Sequence, residues 1–247
     1  MHPINKLLRP SGLQIIRLER PPKEFMTNYN KYLARLRKNP GGFKIFKEFY
    51  YDAGVHPAGH IDYECAFAAY HIARLNPRNI LDIGSYRHFI LGILSHFQVT
   101  TVDVRDREPI SSNEVVVTCD AKKLSLPDNE FDVVMSLCAL AHFGLGRYGD
   151  EFDLDADKKA FEEMIRVLKP NGHLIFSTTI TRAQPSILFN GCRIYNYEIL
   201  RKFCANLACE EEKFYSYKVG GFSSLEQVNM EPGVWDVYCG CWRKKKR

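Results

Sequence analysis

Two kinds of hydrophobic pattern alternate along the chain. Short apolar runs rich in Val and Ile predict buried strands at residues 80–83, 99–104, 115–118, 132–137 and 173–180. Between them, apolar positions return every three or four residues and predict helices over 63–75, 87–97, 156–168 and 197–207. In the third of these, Ala160, Phe161, Met164, Ile165 and Leu168 share one face. Breakers fall where the pattern changes. Asn76-Pro77 stops the first helix, Pro127-Asp128-Asn129 turns into the fourth strand, and Lys169-Pro170-Asn171-Gly172 leads into the fifth. Asn196 is placed to cap the last helix. Residues 213–219 and 234–242 read as a closing strand pair. The expected fold class is α/β, a doubly wound and mostly parallel seven-stranded sheet with an antiparallel C-terminal edge strand.

Upstream the pattern differs. Pro10, Gly12 and Pro21-Pro22 interrupt residues 1–60, which hold a short basic helix at 28–38 ended by Asn39-Pro40-Gly41-Gly42. The expected division is a basic, mostly helical extension over 1–60, the α/β domain over 61–242, and a basic tail over 243–247. Charge follows the same division. Residues 1–50 carry eleven Lys/Arg and three Glu, a net +8; the last five add +5, and residues 51–242 sum to −8 within a total of +5. An acidic body argues against a nucleic-acid partner. Leu7, Leu8, Ile15, Ile16 and Leu18 among Lys6, Arg9 and Arg17 suggest an amphipathic element that touches a membrane face or packs on the domain.

With 45% hydrophobic and 26% charged residues, the 247-residue chain has an ordinary water-soluble composition. The nine apolar-dominated positions 133–141 are too few to span a bilayer, and the start lacks the pattern of a secretory signal. Eight cysteines show no CxxC pair and no zinc spacing, so a reducing cytoplasm is the simplest compartment.

The candidate chemistry sits at predicted strand ends, where doubly wound sheets bind ligands. Asp82 ends the first strand and Asp103 the second, 21 positions on. That is about the spacing at which such folds hold a ribose through its hydroxyls. Gly84-Ser85-Tyr86 forms the first turn, Asp120-Ala121 follows the third strand, and Ser136 closes the fourth. Asp120 is placed to meet an adenine amino group. A dinucleotide loop needs second and third glycines for its pyrophosphate; Tyr86 and Phe89 stand there instead. That favours an adenosine ligand without pyrophosphate, S-adenosylmethionine (SAM), over NAD. The cofactor-binding set expected is Asp82, Gly84, Ser85, Tyr86, Asp103, Asp120, Ala121 and Ser136.

These segments resemble the class I SAM-dependent methyltransferases with their Rossmann-like fold. LDIGS (81–85) is similar to their glycine loop, VDVR (102–105) to their ribose acid, CDAKKLSLPDNEFDVVMS (119–136) to their adenine-side loop, and MIRVLKPNGHLIFST (164–178) to their fifth-strand entry. The resemblance spans about residues 61–242 and implies methyl transfer from SAM. More narrowly, AHFGLGRYGD (141–150) and FNGCRIYN (189–196) resemble an uncharacterised methyltransferase-like subgroup associated with sugars or glycans, in which a Glu commonly stands at the place of Ala141.

The implied acceptor is a small molecule or a glycan, methylated on oxygen without a metal. His142, just past the fourth strand, is the candidate base or else a neutral imidazole bonding its own loop. Arg147, Tyr148, Arg193 and Tyr195 are candidate acceptor contacts, the arginines suiting an anionic group; Arg147 paired with Asp150 is the plainer alternative. Asp153, Asp155 and Asp157 fail as a calcium loop, because Lys158 stands where Gly is needed, and read as the first turn of the next helix. His56 and His60 read as loop residues. A non-catalytic binding protein on the same fold and an NAD-linked sugar enzyme are the two other readings of these motifs.

Overall fold

The computed structural model describes residues 8–13, 15, 20–51 and 58–246. Lys6, Leu7, Ile16, Arg17 and Leu18 of the expected amphipathic stretch, and His56, lie outside the described residues. The chain forms two units, residues 1–57 and 58–247.

In the first unit, helix α1 (Lys23–Lys38) starts five residues earlier than its charge pattern predicts. Pro22 stands at its N-cap, Glu24 in the first turn, and Arg35, Arg37 and Lys38 in the last, each suited to the helix dipole. Phe25 sets the early start. Its ring meets Phe49 and Tyr51 edge-on at 5.9 and 4.8 Å, and the Tyr29 hydroxyl donates to the Glu48 carbonyl at 2.5 Å.

The second unit opens with α2 (His60–Leu75), which ends at Asn76 in the left-handed conformation (φ 44°) before Pro77. Strand β1 (Asn79–Ile83) then leads through α3 (Arg87–Ile93) to β2 (Gln98–Asp103), β3 (Glu114–Thr118) and β4 (Phe131–Leu137). Helix α4 (Ala156–Val167) feeds β5 (Leu168–Thr181); β6 (Ser186–Leu188) and β7 (Cys192–Asn196) precede α5 (Tyr197–Phe203). Strands β8 (Leu207–Ser216), β9 (Gly221–Ser223) and β10 (Asp236–Lys244) complete the unit.

The main path of the sheet runs β3-β2-β1-β4-β5-β10-β8-β9. Strands β3, β2, β1, β4 and β5 are mutually parallel, and β10 is antiparallel to both β5 and β8. The fold is thus the doubly wound α/β class, with ten strands rather than seven. The extra three are β6 and β9, three residues each and too short to leave an alternation in the sequence, and the five-residue β7, which runs directly into α5. The last strand does not lie at the edge: it fills the slot between β5 and β8, and β9 closes the antiparallel side as a hairpin. It also runs into the expected tail. Arg243 pairs with Glu210 at 3.0 Å, and Lys244 Nζ meets the Ile165 and Leu168 carbonyls at 2.7 and 2.6 Å, at the dipole-negative end of α4.

One core lies on each sheet face. Phe161, Met164 and Phe176 belong to one, Phe67, Ile72 and Ile90 to the other. All eight cysteines are free thiols. Among the described residues no helix is long and apolar enough to cross a membrane.

Candidate active site

Sheet order reverses at β1, which has β2 on one side and β4 on the other. A crevice must open there at the carboxyl ends. It is a cavity of about 570 Å³, within the range of small-molecule sites. Gly84 makes the turn out of β1 with φ +72°, and a Cβ there would lie 3.0 Å from that of Ala139. Glycine is required because β1 and β4 deliver their loops so close together.

Gly84, Tyr86, Asp103, Asp120 and Ala121 line one stretch of the wall, and His142, Arg147 and Tyr148 another. Asp103 ends β2 with its carboxylate held by the Arg105 backbone N–H at 2.9 Å and by the guanidinium at 2.9 and 2.7 Å. Burial acts to raise its pKa, but these bonds and the Arg105 charge outweigh it and keep the group below its ordinary value. Asp120 accepts from the Lys122 N–H at 2.9 Å and lies 3.4 Å from the Lys122 ammonium.

Three other expected contacts stand behind the wall rather than in it. Asp82 is buried, with Oδ1 lacking a partner in the protein; burial pushes its pKa up to about 7 against hydrogen bonds from Ser85. The Ser85 hydroxyl accepts from Leu137 N–H at 2.9 Å, and the buried Ser136 hydroxyl donates to the Ile83 carbonyl at 2.9 Å. These groups shape the turn that carries Gly84 and Tyr86.

Arg193 and Tyr195 take a structural place that corrects their expected role. The Arg193 side chain is 7% exposed, and its guanidinium donates to the Phe143, Asp153 and Leu154 carbonyls at 2.5, 3.2 and 3.1 Å. Asp157 stands 3.5 Å from its Nε, and the Tyr195 hydroxyl donates to the same carboxylate at 2.9 Å. These bonds all run to groups within the fold, and neither residue lines the cavity. The three aspartates at the head of α4 are likewise taken: Asp153 pairs with Lys159, Asp155 with Lys158, and Asp157 with Arg193. Among the described residues no group of three or more His, Cys, Asp or Glu is arranged to hold a metal ion.

His142 closes a single helical turn (Leu140–His142) after β4. Its Nδ1 lies 2.6 Å from the Gly191 carbonyl. A carbonyl only accepts, so Nδ1 carries the proton and Nε2 keeps its lone pair. Burial lowers the pKa of the ring; the Gly191 bond opposes this and the Arg147 charge adds to it. Arg147 Nη1 also reaches Gly191 O at 3.2 Å, and its guanidinium stacks over Tyr148 at 5.3 Å. No carboxylate lies within 4.0 Å of it among the described residues; Asp150 binds the Gly146 and Tyr148 backbone instead.

The remaining wall was not legible as a site. His60 is helical, not a loop residue, and lines the cavity beside Tyr86 and Trp235. Its Nδ1 lies 2.9 Å from the Tyr217 hydroxyl and its ring meets Trp235 edge-on at 5.8 Å. The available signal was the His60–Glu64 spacing of one helical turn, hidden because Pro57 and Gly59 place the helix start later.

Residues 81–176 match the family model described as a methyltransferase domain. In fold, and over residues 81–176 in sequence, the chain is similar to the SAM-dependent methyltransferase domains built on a doubly wound sheet. The chain is 26% identical over 172 residues to the ubiquinone/menaquinone biosynthesis C-methyltransferase UbiE of Shewanella sediminis, covering 58% of this chain and 63% of that one. With UbiE of Hydrogenovibrio crunogenus it shares 29% over 160 residues, 56% and 58% of the two chains. The chain therefore spans about three fifths of the curated relatives it matches. Among solved structures, the Burkholderia thailandensis 1,6-didemethyltoxoflavin-N1-methyltransferase superposes with TM-score 0.57 at 15% identity, covering 94% of each chain. The [4+2]-cyclase SpnF also gives 0.57, at 17% identity over 90% of this chain and 96% of that one. A cyclase on the same frame shows that the frame alone does not fix the reaction.

The cofactor of this class is SAM, and the cavity fits it. Asp103 presents a carboxylate where ribose hydroxyls are bound in such folds, the Gly84 turn leaves room for close backbone approach, and no run of glycines reserves space for a pyrophosphate.

Proposed function

We propose that the protein methylates a small, hydroxyl-bearing acceptor from SAM, with His142 as the base and Arg147 as the anchor of an anionic group on that acceptor. The observation that carries this reading is that both sets of groups line one cavity. Asp103 and Asp120, read as the adenosine contacts, share its wall with an imidazole whose free nitrogen is fixed by Gly191. Bound SAM supplies a methyl group on a sulfonium, open to in-line displacement.

The chain's own residues do the rest. Asp103 accepts the ribose hydroxyls and Asp120 the adenine amino group; Gly84 and Ala121 leave them room. Tyr86 and Tyr148 flank the cavity and exclude water. His142 Nε2 takes the acceptor proton, and Gly191 O steadies the imidazolium that forms. Arg147, without a competing carboxylate, holds the acceptor's negative charge.

Deprotonating a ring hydroxyl prepares either its oxygen or a neighbouring carbon for methylation. The sugar-like motifs favour oxygen, and the relatives named as C-methyltransferases favour carbon. The oxygen product is the primary reading, because the base addresses the hydroxyl directly. The unit over 1–57 serves this reading as a separate module, and its basic residues as a contact for an anionic surface.

Thermal melting with SAM and S-adenosylhomocysteine tests the reading first. The expected result is a rise in melting temperature with either ligand, lost in Asp103→Ala. Transfer of radiolabelled methyl to a panel of phenols and sugars then tests the chemistry. No stabilisation by millimolar ligand overturns the reading; stabilisation without transfer, and with His142→Gln and Arg147→Ala indistinguishable from wild type, supports a non-catalytic binding role instead.

A further inference from the structure

Glu64 is a carboxyl group with 0% exposure in the middle of helix α2, and nothing expected of the site uses it. It lies just behind the cavity wall. The hydroxyl of Tyr86, a lining residue, donates to Oε1 at 3.2 Å. Ser177 on β5 donates to Oε2 and itself accepts from the Cys138 N–H at 2.9 Å. His60 Nε2, from another lining residue, lies 3.9 Å from Oε1. Both carboxyl oxygens thus receive donors, the arrangement that suits an ionised group.

An ionised group so deeply buried needs a cation, and the fold supplies none. None of the titratable side chains around it carries a positive charge at neutral pH. On its own helix are His60, whose pKa burial lowers, and Cys65, pushed up to about 11 by burial. Burial also raises Tyr86 in the turn after β1, Cys138 after β4 (to about 12), Tyr217 after β8 and Cys239 on β10. Glu64 itself is pushed up to about 7 by burial, against the bonds from Ser177 and Tyr86. A buried carboxylate with its donors set and its cation missing, one side chain from a ligand cavity, is a half-made ion pair.

We propose that Glu64 is the counter-charge for the cationic part of SAM, acting through the Tyr86 wall, and that binding the cofactor drives the proton off Glu64. The inference rests on the reading of the cavity as a SAM site. Glu64 is a positioning residue in this account: partly protonated near neutral pH while the cavity is empty, ionised when a cation enters, and thereby selective for a charged ligand over a neutral adenosine.

Calorimetric titration of the full chain with SAM, in buffers of different ionisation enthalpy, reads the proton directly. With a free-state pKa of about 7, about half a proton should leave per SAM at pH 7, rising toward about one at pH 6. In Glu64→Gln this release should vanish and SAM affinity should fall about tenfold, while adenosine affinity stays as in wild type. Tyr86→Phe removes one donor to the carboxylate and raises its pKa, so the release profile should move to higher pH. This second variant decides the matter if Glu64→Gln does not fold, as judged by circular dichroism. SAM binding without proton release, equal release in Glu64→Gln, or an unshifted profile in Tyr86→Phe overturns the proposal. Absence of SAM binding to the wild-type chain overturns the cofactor reading and this inference with it.

Discussion

Arg147 stands between Gly146 and Tyr148, Arg193 two residues from both Gly191 and Tyr195, and both lie near the carboxyl ends of the sheet, yet they do opposite work. Arg193 is a clasp. From β7 it binds Phe143 at one end of the loop after β4, and Asp153 and Leu154 at the other. Arg147 rides near the tip of the loop that Arg193 closes, with Gly191 O and the Tyr148 ring as partners and no carboxylate among the described residues. The difference teaches that a guanidinium's role is set by how many of its donors the fold has already taken. A saturated, buried arginine builds the site, whereas an unsaturated one at the rim is left for a ligand.

Removing the clasp should have the largest effect. Arg193→Ala removes a donor from each of three carbonyls and the only cation paired with the buried Asp157 among the described residues, and should cost about 3–5 kcal/mol in urea unfolding. Arg193→Lys should not restore it, since one ammonium cannot serve both ends of the loop. If Arg193→Ala unfolds like wild type, the clasp description is wrong. His142→Gln comes next. It should lower kcat about a hundredfold with little change in unfolding, because only the rim side loses a proton acceptor. Its pH profile gives a finer reading. The imidazole pKa is lowered from 6.5, first by burial, so the base form persists at neutral pH. Wild-type kcat/KM should therefore fall only as pH drops below about 6.5, and that limb should disappear in the variant. Asp103→Ala, outside both arginine regions, should weaken SAM binding about tenfold or more by calorimetry and leave stability within about 1 kcal/mol. Arg147→Ala should be the smallest in stability, within about 0.5 kcal/mol, while raising acceptor KM about tenfold. A melting loss equal to that of Arg193→Ala would erase the distinction between the two regions.

The parallel half of the sheet was legible because its strands are continuous apolar runs and its helices, α4 above all, carry a clear one-face periodicity. Asp103 and Asp120 were legible for a related reason: strand ends in a parallel sheet all arrive at one crevice. The misassignment of Arg193 and Tyr195 had a physical cause. Arg193's backbone partners lie 39 to 50 positions away, and no local pattern announces which carbonyls a buried guanidinium will meet. Glu64 escaped for the same reason, since Ser177 stands 113 positions downstream. Asp82 shows the limit from the other side. Its spacing marked the site, but its burial sets it off the cavity wall, with Ser85 as a hydrogen-bond donor.

Strand β10 lies between β5 and β8. Its position also sets a timetable. A nascent chain that has emerged only as far as Gly233 has every residue of the cavity's carboxylate side, yet β5 and β8 each present a bare edge until residues 236–244 leave the ribosome and fill the gap. Assembly of this unit is therefore gated by its last strand to be made, and the interval before it arrives is when the chain most needs a chaperone.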